Sequence, residues 1–96
     1  MTDLKTLYVQ AKAFFEANPD KWTTGSMSKK NGCMCYAGAM ALIDNPEFDS
    51  GELASHGWDL SARSIREHHN SIVHVNDSSK SLAEATARLD KVFGVC

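Results

Sequence analysis

The stretch from Cys33 to Asp44, Cys-Met-Cys-Tyr-Ala-Gly-Ala-Met-Ala-Leu-Ile-Asp, constrains this chain more than any other. Small and apolar side chains follow one another there with no polar face between them. A helix built from them is apolar nearly all round, and such a helix is stable when it is covered on every side. Ala37, Gly38, Ala39 and Ala41 let its neighbours come close. This second helix, over about 33–44, is therefore expected to be the hub of the fold, closed by the Asp-Asn-Pro-Glu that starts at Asp44.

Two amphipathic helices can cover that hub. Leu4, Leu7, Tyr8, Ala11, Phe14 and Phe15 recur with the helical period, with Thr2 or Asp3 as cap and Asn18-Pro19-Asp20 as stop. Near the C-terminus, Leu82, Ala85, Leu89, Val92 and Phe93 share a face. Ser81 and Glu84 have capping-box spacing there, and Gly94 suits the end. Between them, 45–59 reads as a loop punctuated by Gly51 and Gly57, with Phe48, Leu53 and Trp58 folding back on the core. A short helix at about 61–69, capped by Asp59 or Ser61, follows. The alternation in Ser-Ile-Val-His-Val-Asn-Asp reads as a short extended segment near 71–76, though a lone strand has no partner. The expectation is a mostly α fold, a small single-domain helical bundle of about four helices spanning 1–96.

Composition excludes several classes of function. Ten basic and twelve acidic residues give a net charge of −2, and the basic residues are scattered apart from Lys29–Lys30. Non-specific nucleic-acid binding is not expected. No stretch approaches the ~18 apolar residues of a membrane span, and the N-terminal helix carries charges where a signal peptide would be apolar. Three cysteines, an odd number, favour reduced thiols and a cytoplasmic setting. No cofactor or metal is expected. Cys33 and Cys35 lack zinc or redox spacing, and no Walker or Rossmann glycine pattern occurs.

Three groups of residues carry chemistry. Cys35, near a helix start where the dipole favours a thiolate, precedes His74 and then Asn76 or Asp77, the chain order of a Cys–His–Asn constellation. The competing reading of Cys35 is a small apolar side chain in the tightest part of the core. Asn76 and Asp77 are either ordinary turn and capping residues or, with His74, polar groups at a pocket rim. Trp22 is either a lid on the core or a stacking surface for a planar ligand, and Lys29 and Lys30 ahead of a helix suit an anion.

Trp22 and Gly25, then Cys35, Gly38 and Ala39, then Asn76, Asp77 and Ser81 form three ordered motifs. Their order and spacing, from about residue 4 to 93, resemble a family of small proteins found mainly in bacteriophages and prophage-bearing bacterial genomes. That family has Trp-x-x-Gly after its first helix, Cys-x-x-Gly-Ala opening the second, and Asn-Asp before the last. It usually has an aromatic residue shortly before the Asn-Asp, where this chain has His74, and residues 45–70 lie outside the likeness. The resemblance implies a phage origin and the cytoplasm of a host cell. The resulting expectation is a binding protein that inhibits or sequesters a host factor or small signal molecule, as in counter-defence. Its contacts to a host protein or small nucleotide-like ligand would come from Trp22, Lys29, Lys30, His74, Asn76 and Asp77, and homodimerisation would supply further buried surface. The alternative is a cysteine-dependent hydrolase or transferase using Cys35, His74 and Asn76 or Asp77.

Overall fold

The computed structural model describes residues 3–25 and 32–95, so Lys29, Lys30, Thr2 and Cys96 lie outside the described residues. The described chain is mostly helical, with α1 (Leu4–Ala17), a 3-10 turn (Pro19–Lys21), α2 (Tyr36–Asp44), α3 (Ser50–His68), α4 (Ile72–Asp77) and α5 (Leu82–Phe93). No helix among the described residues is long and apolar enough to cross a membrane.

α2 is the hub. It packs against α1, α3 and α4, and Tyr36, Ala37, Ala39, Met40 and Ala41 are at most 1% exposed. It begins at Tyr36, three residues later than expected, with Cys35 as N-cap residue in extended conformation. α1 buries Leu4, Leu7, Tyr8, Ala11 and Phe15 on one stripe and ends ahead of Pro19. Asp3 stands at its N-cap position without a side-chain cap bond. α5 buries Ala85, Leu89 and Phe93 and ends on Gly94, whose φ of 67° is the left-handed geometry that favours glycine. The Ser81 hydroxyl caps the Glu84 N–H, while the Glu84 carboxylate reaches Lys80 N–H in place of the residue a full capping box would use. Tyr8 joins the chain ends, its ring lying 5.1 Å from Phe93 and 5.4 Å from Tyr36.

Two expectations are corrected. The first is the loop at 45–59. α3 starts at Ser50 with a full capping box, in which the Asp49 carboxylate takes Glu52 N–H and Glu52 takes Asp49 N–H. Its buried stripe is Leu53, Gly57, Leu60, Ser61 and Ser64, a helical period hidden from a hydropathy reading because it is made largely of glycine and serine. Gly57 therefore lies inside a helix as a packing residue, and neither Asp59 nor Ser61 is a cap. Trp58 does not fold back; it is 58% exposed.

The second is the extended segment near 71–76, which is helical, making five α-helices among the described residues. A strand there would leave its backbone groups without a ladder partner. The helix satisfies them internally, and Ser71 caps it by accepting His74 N–H. Ile72, Val73, Val75 and Asn76 form the buried side, a pattern that six residues cannot distinguish from alternation. α4 is tied to α3 by Ser61, whose hydroxyl meets Ser71 Oγ at 2.7 Å and accepts Val73 N–H. Arg88 of α5 closes its other end on the Val75 carbonyl and the Ser78 and Ser79 hydroxyls.

Candidate functional site

The three sequence motifs meet at one residue, Asn76. Its side chain is fully buried, and its amide uses both donors and both acceptor positions. Oδ1 accepts the Trp22 indole N–H at 2.7 Å and the Tyr36 backbone N–H at 3.1 Å. Nδ2 donates to the Thr23 carbonyl and to Asp77 Oδ1, both at 3.1 Å. The Tyr36 N–H belongs to the first residue of α2, one of the donors a helix start leaves unpaired. Cys35 makes no side-chain cap bond, so Asn76 supplies from α4 the cap that α2 lacks locally. Asp77 Oδ1 also accepts Gly25 N–H at 2.9 Å. Gly25 has φ of 74°, which explains glycine at the end of Trp-x-x-Gly. A parallel bridge pairs Trp22 with Met34 beside this latch.

Trp22, Asn76 and Asp77 are thus brought together, with Asn76 spent on holding the Trp22 loop and α2 in register. Asp77 and His74 are exposed on α4. Cys35 is 1% exposed. Burial pushes its thiol pKa up; the Gly38 and Ala37 N–H groups partly oppose this, and the Asp77 charge adds to it. That is the reverse of the activation a nucleophile needs. Among the described residues no hydrogen bond joins Cys35 to His74, and no group of three or more His, Cys, Asp or Glu side chains could hold a metal ion.

A second constellation had no counterpart in the motifs. Between α1 and α5 lies an open, shallow cleft of about 660 Å³ floored by Phe15, Tyr36 and Leu82, with the small Ala83 and Ala87 on its α5 side. Its rim carries Lys12 and Glu16 from α1 and Ser81, Thr86 and Asp90 from α5. The polar groups form one network. Lys12 Nζ lies 3.2 Å from both Asp90 oxygens. The Tyr8 hydroxyl donates to Asp90 Oδ1 at 2.5 Å and contacts the Thr86 carbonyl at 3.0 Å, and the Tyr36 and Thr86 hydroxyls are 2.6 Å apart. The Tyr8 pKa is pushed far up, first by burial and then by its bond to the Asp90 carboxylate. The Tyr36 pKa is raised by burial against the opposing effect of Thr86. Both phenols therefore stay protonated at neutral pH.

The signal for this cleft lay in two polar ladders of one-turn spacing, Tyr8–Lys12 beside the α1 stripe and Thr86–Asp90 beside the α5 stripe. They face each other once both helices cover the same hub. No family model, curated protein or solved structure matches the chain.

Proposed function

We propose that this chain is a small binding protein, of the phage type its motifs resemble, which sequesters a host factor or small signal molecule without transforming it. The cleft between α1 and α5 is the receiving site. The observation that carries this reading is the cleft itself. About 660 Å³ lies within the range of small-molecule sites, and aromatic and aliphatic side chains form its floor. Lys12, Glu16 and Asp90 on the rim would orient a ligand with a planar apolar body and a polar end, such as a nucleotide-like signal. Its walls rest on the buried Tyr8–Tyr36–Phe93 cluster, so the site is pre-organised.

A thermal-shift screen against nucleotides and cyclic dinucleotides tests it. The expected result is a ligand that raises the melting temperature of the wild type and leaves that of Ala87→Trp unchanged. Ala87 is exposed and lines the cleft, so the indole fills the site without entering the core. A ligand that stabilises both proteins equally rejects the cleft as its site. Measured turnover of a substrate without stable complex formation rejects the binding reading altogether.

The cysteine-dependent reading gains nothing from the Asp77 charge near Cys35, which raises the thiol pKa. It requires a thiol that is now buried to become accessible.

A further inference from the structure

The outer face of α3 takes no part in the cleft or in the latch. Gly51, Ser55, Trp58, Ala62 and Ile65 are all exposed and follow one another in alternating steps of four and three residues. That spacing is the a/d repeat of a helix that pairs with another helix. Within it Trp58 is 58% and Ile65 50% exposed, and the small residues of the seam alternate with these two large ones. Along one edge run Glu52, Asp59 and Arg66, seven residues apart and all exposed, with the Glu52 carboxylate already taking Asp49 N–H. Asp59 and Arg66 belong to no ion pair among the described residues, where the pairs are Lys12–Asp90, His56–Asp44 and Arg63–Glu67.

We propose that this face binds a second copy of the chain, with the two α3 helices antiparallel about a two-fold axis between Ala62 and Ile65. Symmetry then sets each contact twice. Ile65 packs over Ala62 of the other copy, Trp58 covers the C-terminal end of the other α3, and Asp59 faces the other Arg66. Charge selects this register. A slide of one heptad would replace the two Asp59–Arg66 contacts by two Glu52–Arg66 contacts and add Asp59 against Asp59, and a slide the other way would set Arg66 against Arg66, so either alternative carries a like-charge contact. A parallel arrangement would set Asp59 and Arg66 against the uncharged Ala54 and Ser61 edge of the other copy, so it forms no charge pair. The self-complementary pairing of Asp59 with Arg66 about the two-fold axis, in the one register free of like-charge contacts, is what identifies the occupant as this chain.

Sedimentation equilibrium of the full chain, from micromolar to millimolar concentration, tests the proposal. The wild type should approach twice the 10.5 kDa chain mass. Asp59→Arg and Arg66→Asp should each weaken self-association at least ~10-fold, corresponding to about 1.4 kcal/mol. The double variant Asp59→Arg/Arg66→Asp should restore it, because the pair is re-formed with reversed sign. All of these positions are exposed, and unchanged circular dichroism verifies each fold. A wild type that stays monomeric throughout overturns the proposal. So does a double variant no better than the singles, or single variants that associate like the wild type.

Discussion

The Trp22 indole donates to Asn76 Oδ1 at 2.7 Å across a separation of 54 residues, and the same oxygen takes the first N–H of α2 from Tyr36. One buried amide therefore fixes a loop, the start of the central helix and the short helix that carries it. Asn76→Ala leaves the indole N–H and the Tyr36 N–H without their shared acceptor in or near the interior. Each orphaned buried group costs about 1–3 kcal/mol, so the loss in urea unfolding should be at least about 2 kcal/mol. A loss below about 0.5 kcal/mol, the range of neutral surface changes, would show that the latch contributes nothing.

Alkaline pH should destabilise the protein in a defined window. Tyr8, Tyr36 and Cys35 all have raised pKa values, chiefly through burial. The folded state keeps these protons after the unfolded chain has lost them, from about pH 8.5 for cysteine and about pH 10 for tyrosine. Their contribution is full below those values. Above them each group lowers stability by about 1.4 kcal/mol per pH unit. Urea midpoints should fall steadily from pH 9 to 11, and Tyr8→Phe should flatten that fall by about one group's share. A flat profile over this range would contradict the buried phenols.

Gly38 is buried in α2, the most enclosed helix. Gly38→Leu adds a branched side chain to a fully packed interior, where overpacking costs about 1–3 kcal/mol or more. Calorimetry should show a large drop in melting temperature. Unchanged melting would mean that this helix is not enclosed as described.

Cys35 should resist alkylation in the native state. At pH 6 iodoacetamide should modify it far more slowly than the half-buried Cys33, and it should react once the chain is unfolded. Peptide mass spectrometry distinguishes the three thiols. Rapid native modification of Cys35 would restore the nucleophile reading.

The cap on α5 gives a local control. Ser81→Ala removes the oxygen that accepts Glu84 N–H at 3.1 Å and should cost about 1 kcal/mol in unfolding experiments. Because Ser81 also lines the cleft, the ligand screen should be repeated on this variant, and an intact response would exclude its hydroxyl from the contacts.

Much of the fold was legible where apolar side chains mark a helical face. α1 and α5 show their stripes directly, and the run of small apolar residues marks α2 as the centre. α3 was hidden because Gly57, Ser61 and Ser64 carry its buried face, so hydropathy registers a loop where packing favours small residues. α4 was hidden because its six residues fit two periods. The latch was half legible: Trp22, Asn76 and Asp77 could be singled out as polar or aromatic residues in unusual places. Their mutual bonds could not be, and the cleft network of Tyr8, Lys12, Tyr36, Thr86 and Asp90 left only the two one-turn polar ladders, which do not show that they face each other.

Taken alone, the amino-acid order determined which segments must be covered, since the free energy of burying apolar surface is written in side-chain type and period. Tertiary structure decided what the polar residues do. Asn76 finds partners 40 and 54 residues away, and the Cys35 thiol is raised by burial where an isolated helix start would lower it. A hydrogen bond depends on distance and direction, and burial depends on everything packed above a side chain. Neither is a local property of the chain.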